Sequence, residues 1–188
     1  MRLYDKPIIQ LFSFIREFLI LLLVYFTHFA GEAQVGKLFT TDSEISSSLI
    51  NQIYQDNKGY LWIATEDGLN RYDGAKVTIY KQNERDSTSI LNNYVKSIFQ
   101  DKAGRLYFGF FNGLQYYDYA TEEFHYIPIY IGDHYLYRSH VTSFVQRQNG
   151  DILLTTSGQG ILKIEKDGEG LAAIQLPNLL PDQYFEKI

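Results

Sequence analysis

The chain has 188 residues, of which 45% are hydrophobic and 21% charged, and this composition excludes intrinsic disorder. It fits one globular domain or a piece of a larger one. A net charge of −5 argues against a nucleic-acid partner, and the absence of cysteine excludes a disulfide framework and thiolate chemistry. The 16 Tyr and 13 Phe residues suit half-buried pleated surfaces and favour β structure.

The N-terminus has the pattern of a secretory signal peptide. Basic residues such as Arg2 and Lys6 precede an apolar run over residues 18–30, and small residues follow just before Gln34. An uncleaved membrane anchor is the alternative. As a helix, however, the run would span only about 20 Å, whereas a bilayer core is about 30 Å thick. We therefore predict a signal peptide over 1–33 and a lead-in segment over 34–45.

A sequence repeat follows the lead-in segment. Residues 53–73 recur at 98–118, and the matches fall on turn residues and apolar positions together. A third, looser copy occupies 144–164 and gains one residue around 157–159. Coincident matches of both kinds are seldom produced by chance, so the three segments are copies of one structural unit.

Each copy divides into four short strands separated by glycine turns. In the first copy Gly59 closes one turn, and Asp67-Gly68 and Asp73-Gly74 form two more, all typical of tight hairpins. Four antiparallel strands in about 45 residues form the unit of a β-propeller. The predicted fold class is all-β, with about three four-stranded antiparallel blades in an open arc after the signal-peptide helix. We predict a propeller region over 46–170, with blades at 46–82, 90–130 and 139–166, and the truncated start of a further blade at 171–188.

The first copy also resembles a known family. The string Ile-Tyr-Gln-Asp-Asn-Lys-Gly-Tyr-Leu-Trp-Ile-Ala-Thr-Glu-Asp-Gly-Leu-Asn-Arg-Tyr-Asp at 53–73 is similar to the two-component regulator propeller repeat. The second copy departs from it at Tyr107, where the first has Trp62, and at Gly109-Phe110. The third keeps Gly150, two threonines and Gly160. The resemblance covers roughly residues 46–165.

This resemblance implies an exported, periplasmic sensor segment of a hybrid histidine kinase that detects polysaccharide breakdown products. Such proteins continue through further blades, a β-sandwich, a membrane helix, a kinase and a receiver. The partners implied are oligo- or polysaccharide fragments and the remaining blades and signalling domains of a membrane-attached receptor, with homodimers in that context. The chain contains neither a phosphoacceptor His box nor an ATP-binding glycine motif. We therefore expect kinase activity to lie downstream, and no enzyme activity in this chain.

Residues with catalytic potential are better explained by structure. The four histidines are never spaced as His-x-His or at i, i+4, so we predict no metal site and no cofactor. Asp67 and Asp73 each precede glycine, which indicates turn formation rather than paired acid–base catalysis. Trp62 could stack on a sugar, but the repeat places Tyr107 and Leu153 at its position. We expect Trp62 to pack between blades.

Ligand binding is more plausible in loops. In a four-stranded blade, the turn between strands two and three shares one rim with the link to the next blade. On that rim the segment 133–140 mixes aromatic rings with hydrogen-bonding groups, a combination that suits carbohydrate. An ordinary solvated loop is the alternative. The candidate ligand-binding residues are Glu66, Asp67, His134, Tyr135, Tyr137, Arg138 and Gln159.

Two functions remain open at this point. The first is a non-catalytic sensory propeller segment of a two-component receptor. The second is a secreted propeller scaffold or glycan-binding module associated with polysaccharide degradation. A membrane helix and kinase motifs encoded downstream would favour the first, and a stop codon beside a hydrolase gene would favour the second.

The signal peptide gives a first testable prediction. The mature protein should begin near Gln34, because a short apolar run precedes a small-x-small site there. Mass spectrometry of the N-terminus, on protein from the exported fraction, measures this. A chain that still carries Met1 in the membrane fraction would contradict cleavage.

Overall fold

The computed structural model describes residues 12, 14–22, 44–168 and 170–176. Residues 14–22 are helical, within the segment predicted as the signal peptide, while its predicted end and the lead-in to residue 43 lie outside the described residues. No helix in the described part of the chain has both the length and the hydropathy needed to cross a membrane. From residue 44 onward the described chain is built from strands and turns.

The first two copies of the repeat each form a four-stranded antiparallel sheet in chain order. At the turns between strands one and two, Gly59 and Gly104 adopt φ values of 88° and 91°, which side-chain-bearing residues rarely adopt. The first sheet contains β1 (Ile50–Gln55), β2 (Leu61–Thr65), β3 (Gly68–Tyr72) and β4 (Val77–Tyr80). The second contains β5 (Val95–Gln100), β6 (Leu106–Phe110), β7 (Gly113–Asp118) and β8 (Glu123–Tyr126).

The third sheet has six strands rather than four. Its strands are β9 (Ile129–Ile131), β10 (His134–Leu136), β11 (Val141–Gln146), β12 (Ile152–Thr156), β13 (Gly160–Asp167) and β14 (Gly170–Gln175). The order across the sheet is β10-β9-β14-β13-β12-β11, so the β9–β10 hairpin lies outside the fourth strand of the blade. β9 joins β14 in parallel, through Ala173↔Ile129 and Ile174↔Tyr130.

Two predicted strand assignments differ from the structure. The second blade, expected over 90–130, ends with β8 at Tyr126, and Ile129 begins a strand of the third sheet. Residues from 171, expected to start a further blade, instead continue β14, which pairs with β13 from Leu162↔Gln175 to Asp167↔Gly170. This register completes the third sheet. Residues 177–188 lie outside the described part of the chain.

Aromatic side chains fill the space between the first and second sheets. Trp62 is fully buried, and its ring centroid lies 5.2 Å from those of both Phe108 and Tyr117 in the second sheet. Tyr107, at the position equivalent to Trp62, is 2% exposed and faces Phe144 of the third sheet at 6.4 Å. The expected packing role of Trp62 therefore agrees with the structure, and the same position repeats that role at the next junction.

One face of the second sheet packs against the first sheet. Among the described residues, no sheet packs against the equivalent face of the first sheet. Ile53 and Ile98 occupy equivalent positions, on β1 and β5. Ile98 is 3% exposed because it faces the first sheet, whereas Ile53 is 55% exposed. At the other end of the arc, Val145 lies on the face of the third sheet that points away from the second sheet, and it is 56% exposed. Among the described residues, the three sheets form an open arc with apolar side chains on both outer faces.

This comparison gives a matched stability prediction. Ile98→Ala should lower the free energy of unfolding by about 2–5 kcal/mol, because it leaves a cavity between two sheets. Ile53→Ala should cost less than about 1 kcal/mol, because the side chain loses little buried contact. Chemical denaturation of the full chain, followed by Trp62 fluorescence, measures both. Equal losses would show that the two faces are equally covered.

Candidate functional site

The predicted rim residues of the first sheet hold the link to the second sheet. Asp67 forms a salt bridge with Lys81, with Oδ2 and Nζ 2.7 Å apart. Asn93 Nδ2 also donates to Asp67 Oδ1 at 3.3 Å. Glu66 precedes Asp67 in the same turn, and its backbone N–H donates to Leu49 O. Both side chains are exposed, so they are accessible while the turn itself is fixed.

Gln159 lies in the equivalent turn of the third sheet and is also engaged locally. Its Oε1 accepts a hydrogen bond from Ser139 Oγ at 3.0 Å, and its backbone oxygen accepts one from Gln175 Nε2 at 3.1 Å. Ser139 is only 3% exposed. Gln159 thus fastens the end of the link between the second and third sheets.

The remaining four candidates belong to the β9–β10 hairpin or directly follow it. The segment 133–140 was expected to be a rim loop, but His134–Leu136 form β10 because they pair with β9 through His134↔Ile131 and Leu136↔Ile129. Strand pairing at the outer edge of the third sheet therefore replaces the expected irregular loop. His134, Tyr135, Tyr137 and Arg138 are all exposed there.

Tyrosine rings gather around this hairpin. Tyr135 lies 5.8 Å from Tyr130 and 4.8 Å from Tyr137, measured between ring centroids, and both contacts are edge-on. The Tyr135 hydroxyl donates to the hydroxyl of Tyr126, on β8 of the second sheet, at 3.1 Å. Burial, then this hydrogen bond, raise the pKa of Tyr126 above its ordinary value. We call Tyr126, Tyr130, Tyr135 and Tyr137 the tyrosine cluster.

The seven predicted residues thus lie in three places: the first-sheet turn, the third-sheet turn and the hairpin. Tyr126 and Tyr130 were not among the predicted site residues, because both fell inside the predicted second blade, 90–130. The available signal was the pair of tyrosines that flank Pro128, each two residues from it. The antiparallel pairing of β9 with β10 brings Tyr130 beside Tyr135.

A second group of rings lies around the residues that precede β5 and β11 and the turn between β6 and β7. The Phe111 ring is 5.2 Å from His140 and 6.1 Å from Tyr94. Burial, and then the nearby charge of Lys96, lower the pKa of His140, so its imidazole is neutral at neutral pH. His140 Nε2 is buried and has no hydrogen-bond partner among the described residues. Phe111 is 56% exposed and forms the outer part of this group.

On the opposite rim, one carboxylate connects the first two sheets. Asp56 is 5% exposed and accepts hydrogen bonds from the backbone N–H groups of Lys58 and Tyr60 through Oδ1, each at 2.9 Å. Its Oδ2 accepts from Trp62 Nε1 at 2.7 Å and from the hydroxyl of Tyr119 in the second sheet. A single side chain therefore fixes a turn, the inter-sheet tryptophan and the neighbouring sheet.

The segments that contain these turn and packing residues match the model of a known protein family. Residues 44–67 and 89–112 match the model of the family described as "Two component regulator propeller". Each matched segment contains the first two strands of a sheet and the Asp-to-Gly turn between them. Residues 44–67 and 89–112 are therefore two-component regulator propeller repeats.

The known proteins similar to this chain include a histidine kinase and the extracellular domain of a hybrid two-component system. A histidine kinase of Formosa agariphila is 48% identical over 56 residues, which cover 30% of this chain and 4% of that protein. The extracellular domain of a hybrid two-component system from B. thetaiotaomicron is 26% identical, with a TM-score of 0.62 over 69% of this chain and 18% of that domain. The chain thus spans a small part of each relative.

Two more distant structures support the fold alone. A second extracellular domain from B. thetaiotaomicron is 19% identical, with a TM-score of 0.61 over 75% of this chain and 21% of that one. Virginiamycin B lyase from Staphylococcus aureus is also 19% identical, with a TM-score of 0.52 over 75% of this chain and 45% of the lyase. The propeller arrangement is therefore shared with an enzyme as well as with sensors, so fold does not decide function.

The two-component regulator propeller repeats allow a matched test of the buried carboxylate. Asp56→Ala should lower the free energy of unfolding by about 3 kcal/mol or more, because it leaves several buried donors unpaired. Asp101, at the equivalent turn, accepts from Arg105 N at 2.9 Å and Tyr107 Oη at 3.1 Å and is only half-buried. Asp101→Ala should cost less. Urea denaturation of the two variants compares them, and a larger loss for Asp101→Ala would contradict this ranking.

Proposed function

We propose that this chain is a non-catalytic, extracytoplasmic sensor segment of a hybrid two-component receptor that recognises glycan-derived fragments. The two propeller repeats, the histidine kinase relative and the 26% identical extracellular domain support the receptor context. In that context its partners are further blades and signalling domains, with membrane attachment and dimerisation supplied by the longer protein. The observation that supports ligand recognition is the tyrosine cluster around the β9–β10 hairpin.

The hairpin is an addition to the blade. The first and second sheets consist of four strands each, whereas the third has β9 and β10 beyond its fourth strand. Tyr135 and Tyr137 are 38% and 85% exposed, so much of their ring area stays in water. Core packing does not explain two such rings. Their apolar faces and hydroxyl groups match the mixed surface of a sugar, which stacks on rings and hydrogen-bonds to polar groups.

The cluster also offers a route from binding to signalling. Tyr126 belongs to the second sheet and Tyr135 to the third, and their hydroxyl groups meet at 3.1 Å. A ligand that binds differently to two arrangements of these sheets shifts the population between them. Sugar bound across the cluster would favour the arrangement in which the rings are held together, and the longer receptor would transmit that change.

The proposal predicts the effect of removing the exposed rings. A Tyr135→Ala/Tyr137→Ala variant of the full chain should bind oligosaccharides at least about tenfold more weakly, because stacking surface worth about 1.4 kcal/mol or more is lost. Binding to a panel of neutral and acidic oligosaccharides, measured by calorimetry, tests this. Unfolding of the variant should change by less than about 1 kcal/mol, because both side chains are exposed.

Phe111→Ala provides the matched control, since Phe111 is another exposed ring but lies on the turn between β6 and β7. This variant should bind as the natural chain does. Loss of binding in Phe111→Ala, with full binding in the double tyrosine variant, would move the site to the rim. The absence of binding to any oligosaccharide on the panel would contradict the glycan part of the proposal.

A further inference from the structure

A groove of about 470 Å³ lies on the rim opposite the turn that contains Asp67. This end of the sheets holds the turns between strands one and two and between strands three and four. The residues that define the groove are Lys58, Gly104, Arg105, Tyr116, Asp118 and Tyr119. Lys58 comes from the first sheet and the others from the second, so the groove spans the junction. Its volume falls within the range of sites that hold small ligands.

Two cations in this groove are held by rings rather than by acids. Lys58 Nζ lies 3.7 Å from the centroid of the Tyr119 ring, and Arg105 Cζ lies 4.9 Å from that of Tyr116. Both side chains are exposed, and neither forms a salt bridge with another described residue. Such rings position a cation without neutralising its charge.

Arg71 shows what a purely structural cation looks like in the same fold. It also lies over a ring, 5.0 Å from the centroid of Tyr60. Unlike Arg105, it forms a 3.3 Å salt bridge with Glu122 of the neighbouring sheet. It also donates to Tyr117 Oη at 2.8 Å. Its charge is thus used to join two sheets. Lys58 and Arg105 keep their charges available to the groove.

The groove is also fixed by its surroundings. Asp56 accepts hydrogen bonds from the Lys58 backbone and from the Tyr119 hydroxyl, so the same carboxylate positions this cation and its ring. His125 stacks on Tyr116, with centroids 5.0 Å apart and planes at 25°. Asp118 Oδ1 accepts from Ala120 N at 2.8 Å, which fixes its carboxylate in the wall of the groove. The site is therefore largely preorganised.

We propose that this groove binds an acidic sugar, a ring that carries a carboxylate or a sulfate. Lys58 and Arg105 pair with the anionic group, exposed edges of Tyr116 and Tyr119 contact the sugar ring, and the Asp118 carboxylate accepts sugar hydroxyls. A neutral ligand would cover two cations without pairing them, which is unfavourable. The sugar class rests on the proposed function, whereas the requirement for negative charge rests on the groove alone.

Matched monosaccharides test the charge requirement. Glucose, glucuronate and glucose 6-sulfate share a ring and differ in charge. The full chain should bind glucuronate, glucose 6-sulfate or both at least tenfold more tightly than glucose, as measured by ligand-observed NMR titration. Preference for one anion identifies the carboxylate or the sulfate as the source of the charge. Binding should weaken as salt increases, because the cations are exposed. Equal affinity for all three sugars, or no binding, would overturn the proposal.

Charge-matched variants then locate the site. Lys58→Gln/Arg105→Gln should weaken binding of the acidic sugar at least tenfold. Lys76→Gln/Arg85→Gln, which removes two exposed cations outside the groove, should leave it unchanged. Equal weakening by both pairs would indicate only non-specific charge attraction and would overturn the groove assignment.

The double tyrosine variant separates this proposal from the hairpin site. Tyr135→Ala/Tyr137→Ala should retain binding of the acidic monosaccharide, because its rings lie on another part of the molecule. If oligosaccharides bind through the hairpin while no acidic sugar requires Lys58 and Arg105, the groove proposal fails and the proposed function stands. If acidic monosaccharides require the groove while the hairpin variant binds every oligosaccharide normally, the hairpin assignment fails instead.

Discussion

The Asp56 carboxylate is the interaction on which the junction of the first two sheets depends. A charged group that is 5% exposed is tolerated because both oxygens accept hydrogen bonds, from two backbone N–H groups, an indole and a tyrosine hydroxyl. The backbone bonds set the turn, while Trp62 and Tyr119 orient the packing between sheets. Removing any one donor leaves the others in place, whereas removing the carboxylate leaves all of them unpaired. The position is therefore far less tolerant than its small side chain suggests.

The two junctions between sheets use the same geometry with different chemistry. At the second junction Tyr107 replaces Trp62, and its longer 3.1 Å bond to Asp101 is only part-buried. In the third copy Arg147 stands where the aspartates stand and Leu153 where the rings stand, so neither part of the arrangement remains. At the second junction, stacked apolar side chains such as Phe99 and Phe144, with ring centroids 5.8 Å apart, add to the packing around Tyr107. The hydrogen bond between the turn aspartate and the ring thus weakens from the first copy to the second and is absent from the third, whereas apolar packing occurs at both junctions.

The sequence predicted the elements that are determined locally and missed those determined by distant partners. Glycine turns and apolar alternation were sufficient for the four-stranded sheets, and the Trp62, Tyr107 and Leu153 series correctly indicated packing. The hairpin could not be found in this way, because β9 is three residues long and is placed by parallel pairing with Ala173 and Ile174. Likewise, neither Arg71 nor Arg105 could be assigned a role from the sequence. Only the fold places Glu122 beside one of them and a groove beside the other.

Strand β8 connects the two candidate sites. His125 and Tyr126 are neighbours on it, and successive side chains of a strand point to opposite faces. His125 stacks on Tyr116 at the groove, and Tyr126 meets Tyr135 at the hairpin. A ligand bound at either proposed site would therefore contact residues that lie against the same short strand of the second sheet. Because that sheet lies between the other two, a shift of β8 would alter both junctions, and the two proposed sites would then be coupled through this strand.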